Sequence, residues 1–186
     1  MFTKKEIFSI PNLLSYFRIA QVPVFLYVYF HAESQQDHFL SVGILILSSL
    51  SDLFDGLIAR KFDMITELGK LIDPIADKLT QLTVALALMS TYHMYAFLVF
   101  IIFMKDGMLL FVGYYIYRKT GRHINQAQLP GKIATALFFV VSIALIAFYL
   151  PGTAIANIMI SITAIFMVIA MVYYAIELYH VYQGVL

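Results

Sequence analysis

Asp52 and Asp55 stand three residues apart, and Asp73 and Asp77 four apart, in the stretch Ser51–Lys78, SDLFDGLIARKFDMITELGKLIDPIADK. Either spacing puts both carboxylates of a pair on one face of an α-helix. A tight antiparallel hairpin between the two segments brings those faces together. Four like charges at close quarters repel, so such a cluster must protonate or take up cations. All-oxygen donors select a hard divalent ion, Mg²⁺ or Mn²⁺ in its place. Four carboxylates suit a pair of such ions, the arrangement that clamps attacking and leaving oxygens in a phosphoryl displacement. The plainer alternative is a solvated loop whose aspartates are salt-bridged to Arg60, Lys70 and Lys78.

The elements that carry this cluster belong to a membrane. Of the 186 residues, 62% are hydrophobic and only 12% charged, and the mean hydropathy is +0.86. Soluble chains run near 45–50% and about 25%, so this one lacks the polar residues to cover a water-facing surface. The apolar runs do not alternate as barrel strands do. Their length suits helices, which satisfy their own backbone hydrogen bonds in lipid. The expectation is an all-α integral membrane protein of one domain, residues 1–186, with six transmembrane helices. These cover Leu13–Phe30, Phe39–Ile58, Leu68–Thr91, Met94–Tyr117, Gly131–Leu150 and Ala154–Tyr179. Residues 3–9 form a short interfacial helix ahead of them, with Ile7 and Phe8 toward lipid and Lys4 and Lys5 toward headgroups.

Charge sets orientation. Lys4, Lys5, Arg60, Lys61, Lys70, Arg118, Lys119, Arg122 and Lys132 fall on one side of a six-span layout, and the opposite connections hold no Lys or Arg. By the positive-inside rule the acidic cluster lies at the cytoplasmic face of the membrane. A net charge of +1 gives no field for nucleic acid, and without cysteine there is neither a disulfide framework nor a thiolate site. His31, His38, His93, His123 and His180 share no metal-ligand spacing, and the tyrosines from Tyr173 to Tyr182 suit an aromatic belt.

The run Asp52-x₂-Asp55-Gly56-x₂-Ala59-Arg60-x₈-Gly69-x₃-Asp73-x₃-Asp77 specifies eight positions over 26 residues. It resembles, without a gap, the signature of the CDP-alcohol phosphatidyltransferases. Ile10-Pro11-Asn12-Leu13-Leu14-Ser15 and Arg18 are similar to that family's usual start of the first span. The resemblance implies transfer of a phosphatidyl group from CDP-diacylglycerol to an acceptor alcohol, with release of CMP. It implies two divalent cations, Mg²⁺ or Mn²⁺, on Asp52, Asp55, Asp73 and Asp77, with Asp77 as general base. Asn12, Asp52, Gly56, Ala59, Arg60 and Gly69 become the expected contacts to the CDP-lipid. Asn12 is equally a candidate helix cap, and Gly56 with Ala59 a close-packing pair. A homodimer among membrane lipids is implied as well.

The acceptor is the less determined half. Lys105, Arg118 and Lys132 are the cations expected to hold an acceptor phosphate. The resemblance implies glycerol-3-phosphate, as in a phosphatidylglycerol-phosphate synthase, because that is the most widespread use of short family chains of this layout. Lys105-Asp106 followed by Tyr117-Arg118-Lys119 looks more like the cardiolipin synthases, which use phosphatidylglycerol. A cation-coupled transporter is the alternative of another class, although its carboxylates belong near the midplane.

Overall fold

In the computed structural model the chain is described over residues 4–120 and 129–183, without the side chains of Lys4, Lys5, Arg60 and Thr120. The described elements are α1 Lys4–Ile7, α2 Ile10–Phe30, α3 Gln35–Lys61, α4 Gly69–Thr91, α5 Tyr95–Thr120, α6 Leu129–Phe148 and α7 Ala154–Gln183. Five of them (α2, α3 to Ala59, α5 to Lys119, α6 and α7) are long and apolar enough to cross a membrane. The remaining long helix, α4, carries Lys70, Asp73, Asp77 and Lys78 in its leading half, and its uncharged stretch begins only at Leu79. The six expected spans are therefore five apolar helices and one with a charged leading half.

Local signals set the helix ends. Pro11 in the first turn, where its missing N–H costs nothing, starts α2 at Ile10 with Ser9 as N-cap. Asn12 is therefore inside the helix and does not cap it, a correction to the expected cap. The interfacial helix expected over residues 3–9 is a single turn, closed by Ser9 N donating to Glu6 O at 3.3 Å. At the start of α3, Ser34 and Asp37 form a capping box in which each side chain accepts the other's backbone N–H. At its end, Met64 N donates to Ala59 O at 2.9 Å while Asp63 takes a φ of 51°. This is the Schellman closure, with an aspartate where glycine is usual. The 27 residues of α3 make a rod of about 40 Å, longer than a bilayer core of about 30 Å.

The chain forms two compact units, one running to Leu88 and including Ile143–Tyr149, the other holding Met89–Ser142 and the residues from Leu150 onward. In the first, α2 lies along α3. The buried face of α2 is Pro11, Asn12, Ser15, Arg18, Gln21, Phe25 and Tyr29, at helical spacing. The Gln35 amide donates to Ala147 O, and the His38 ring stacks on Tyr149 with centroids 4.3 Å apart.

In the second unit α5 lies along α7. The buried stripe of α7 includes Ala156, Ile160, Ala164, Met167, Ala170 and Leu178, small or flexible side chains that let helices approach closely. Gly131 lies directly against the Tyr174 ring and hydroxyl, where a Cβ would collide. Lys119 Nζ donates to the Tyr182 hydroxyl at 2.7 Å, joining the ends of α5 and α7.

Candidate active site

All four signature aspartates come together within the first unit, and the side chains that gather them come from α2. Arg18 Nη1 donates to Asp52 Oδ1 at 2.5 Å and also to Asp77 Oδ1, while Nη2 donates to Asp55 Oδ2 at 2.7 Å. The Ser15 hydroxyl stands 2.5 Å from Asp73 Oδ1 and 3.4 Å from Asp55 Oδ2. One guanidinium and one hydroxyl thus tie the end of α3 to the start of α4. Charge-assisted, forked bonds of this kind are strong and directional. Such bonds are what four carboxylates require if they are to share a small volume.

The cluster has a closed side and an open side. Arg18 is 2% exposed and Asp55 4%, whereas the side chains of Asp52 and Asp77 are each 53% exposed. A solute reaching the cluster meets Asp52 and Asp77 first, with Asp55 and Arg18 behind them. The counter-charge expected from Arg60, Lys70 and Lys78 is replaced by Arg18. Lys70 Nζ pairs with Glu67 at 2.6 Å, Lys78 Nζ donates to Gln81 Oε1 at 3.4 Å, and the Arg60 side chain lies outside the described residues.

Sequence reasoning placed Arg18 in a family-like run but gave neither it nor Ser15 a place in the site. The signal was available: Asn12, Ser15, Arg18 and Gln21 recur every three residues along an otherwise apolar span. That spacing makes a slowly winding polar stripe on one side of a helix. A polar stripe inside a membrane helix needs polar company, and the aspartates supply it.

The glycines of the signature have different surroundings. Gly56 has open space where a Cβ would point, so packing within the chain does not require glycine there. At Gly69 a Cβ would stand 2.7 Å from Asn12 Oδ1 and 3.0 Å from Thr66 Oγ1. Thr66 Oγ1 accepts from Gly69 N at 2.9 Å and donates to Asn12 Oδ1 at 3.2 Å, and the Asn12 amide donates to Glu6 O at 2.6 Å. Asn12 and Gly69 therefore form a latch joining α1, α2 and the start of α4. Ala59 is partly buried in the last turns of α3.

The expected acceptor cations all belong to the second unit. Lys105 is 3% exposed, with Asp106 Oδ1 at 3.3 Å from its Nζ. Arg118 and Lys132 are exposed. Arg122 and His123 lie outside the described residues.

In donor chemistry the four carboxylates fit hard divalent cations: all oxygen, contributed by two helices, with Asp52 and Asp77 sharing one Arg18 nitrogen. In arrangement they are closed on the guanidinium. Among the described residues, no three acidic or histidine side chains are set around one point as a ready ligand group.

Comparison with known proteins identifies the family. The profile of the CDP-alcohol phosphatidyltransferase family matches residues 8–179, passing through both units. The chain is 36% identical over 133 residues to a cardiolipin synthase (CMP-forming) of Streptomyces coelicolor, which is 70% of this chain and 61% of that protein. It is 44% identical over 71 residues to a CDP-diacylglycerol–glycerol-3-phosphate 3-phosphatidyltransferase of Rickettsia bellii, 38% of this chain and 39% of that one. A cardiolipin synthase/mitochondrial hydrolase fusion protein of Schizosaccharomyces pombe is 39% identical over 92 residues, 47% of this chain and 14% of that protein. The matched stretches thus span less than two thirds of these relatives. With the signature aspartates gathered on α3 and α4, and a family match over nearly the whole length, the chain belongs to the CDP-alcohol phosphatidyltransferase family.

Proposed function

We propose that this chain transfers a phosphatidyl group from CDP-diacylglycerol to an acceptor alcohol and releases CMP. The observation that carries the reading is the convergence of Asp52, Asp55, Asp73 and Asp77 on Arg18 and Ser15, with Asp77 on the open side. The acceptor hydroxyl gives its proton to the Asp77 carboxylate as its oxygen attacks the phosphorus bearing the diacylglycerol. The bond from that phosphorus to the CMP phosphate oxygen breaks, and CMP departs in line. A general base must come within hydrogen-bond reach of the proton it takes, and Asp77, half exposed on the open side, is placed for an incoming hydroxyl. The open space beside Gly56 suits the nucleotide, and Asn12, Ala59, Arg60 and Gly69 complete the CDP-lipid contacts.

Asp52, Asp55, Asp73 and Asp77 would hold two divalent cations, Mg²⁺ or Mn²⁺, which would neutralise the diphosphate and the leaving CMP. The two units work as one catalytic domain, dimeric in the membrane, with the acidic cluster toward the cytoplasm. The one-sided distribution of Lys and Arg supports that orientation.

For the acceptor we favour glycerol-3-phosphate, held by Lys105, Arg118 and Lys132. Two observations favour a second reading, phosphatidylglycerol as acceptor. The match to the Streptomyces cardiolipin synthase takes in 70% of the chain, and Lys105 is buried beside Asp106. Purified protein given CDP-diacylglycerol and either glycerol-3-phosphate or phosphatidylglycerol, with CMP and lipid product measured, separates the two. CMP release with neither of these acceptors, nor with inositol phosphate or serine, would overturn the transferase assignment.

A further inference from the structure

Arg18 is engaged at both terminal nitrogens and unsatisfied at the third. Its buried Nε has no hydrogen-bond partner among the described residues, and neither has the buried Gln21 Oε1. Both side chains line a small, partly open and mostly apolar pocket of about 10 Å³ walled by α2, α3 and α4, whose other polar residues are Ser48, Thr80 and Thr83. An unpaired buried acceptor is destabilising, because it has lost its water without gaining a donor. Arg18 lies three residues before Gln21, on the same helical face, and is the neighbouring donor along that face.

The carboxylate oxygens that Arg18 holds (Asp52 Oδ1, Asp77 Oδ1 and Asp55 Oδ2) are the ones a divalent cation would need. Two divalent ions already balance four carboxylates. A guanidinium left among them would be a further positive charge without a partner, repelled at short range in a weakly screened site. Its side chain is long and tethered on one helix, and the unpaired Gln21 oxygen adjoins it in the wall of the small pocket.

We propose that Arg18 is a tethered counter-cation with two seats, one on Asp52, Asp55 and Asp77 and the other in the pocket of Gln21, and that divalent cations drive it from the first to the second. The inference rests on the proposed cation-holding role of the four aspartates. Arg18 then acts as a positioning residue and an internal competitor. It keeps the carboxylates together until cations replace it, and lowers cation affinity by the preference it has for its first seat.

The test is Mn²⁺ binding to the purified protein in detergent without lipid substrate, read from the electron paramagnetic resonance of free Mn²⁺. Arg18→Gln removes the competitor and should tighten binding by about tenfold, within the range usual for coupled sites. Arg18→Lys, a single ammonium that cannot fork across three carboxylates, should tighten it less. Gln21→Leu removes the second seat and should weaken binding severalfold. Combining Gln21→Leu with Arg18→Gln should add nothing to Arg18→Gln, because Gln21 acts only through Arg18.

Equal or weaker binding by Arg18→Gln, or an effect of Gln21→Leu that persists without Arg18, would overturn the proposal. Should Arg18→Gln fail to fold, Arg18→Lys and Gln21→Leu decide it: wild-type affinity in both overturns it. Absence of Mn²⁺ binding in the wild type and in every variant would instead refute the cation reading itself, and this inference with it.

Discussion

The buried face of α2 and the buried face of α7 solve different problems with the same periodicity. Each presents one residue per turn to its own unit. On α2 those residues are Asn12, Ser15, Arg18 and Gln21 before the aromatics Phe25 and Tyr29. On α7 they are three alanines with Ile160, Thr163, Met167, Tyr174, Leu178 and Val181. The α7 stripe gains contact by being small, since in lipid close approach takes the place of the hydrophobic effect between helices. The α2 stripe places hydrogen-bonding groups where unpaired ones would be costly, and the partners that satisfy them are the signature aspartates. The polar face of α2 positions chemistry, whereas the small-residue face of α7 positions helices.

That contrast is open to direct attack. The largest effect is expected at Asp77→Asn, which should lower CMP release by at least about 10²-fold, the scale of a lost general base. The melting temperature should move little, because Asp77 is half exposed; retained turnover in this variant would remove it as the base. Next comes Gly69→Val on the latch. The added side chain meets Asn12 and Thr66, and overpacking of this kind costs about 1–3 kcal/mol. Both melting temperature and CMP release should fall, since α4 carries Asp73 and Asp77; loss of stability at full specific activity would disconnect the latch from the site.

On the other face, Ala170→Leu crowds a position that is 0% exposed and should cost a similar 1–3 kcal/mol. Here the protein that remains folded should keep its rate per molecule, and a selective loss of rate would give the α7 stripe a part in catalysis. The smallest effect is expected at Asp63→Gly. Releasing a left-handed aspartate, at φ 51°, should gain up to about 1 kcal/mol, partly offset by the freer unfolded chain. Thermal melting would detect the gain, with CMP release unchanged.

The four aspartates were legible because their spacing fixes a helical face whatever surrounds them. The helices were legible from apolar length alone, to within a few residues at each end. The start of α2 was misjudged because Pro11 and Asn12 look like punctuation, whereas proline in the first turn belongs to the helix. Arg18 and Ser15 went unassigned for a different reason. Their partners lie 34 to 59 residues away in sequence, and spacing within one helix says nothing about which face of another it meets. Gly56 and Gly69 illustrate the same limit: identical residues in one signature, one beside open space and one wedged against Asn12.

The fixed ends of α3 have a consequence for the lipid around it. A rod closed at Ser34 by its capping box and at Asp63 by its left-handed turn cannot shorten to follow its surroundings. Bilayers of different thickness must then accommodate it by tilt or by local deformation, and either response raises or lowers its acidic end against the plane of the headgroups. α3 thus acts as a ruler of fixed length, to which the bilayer adjusts around its acidic end.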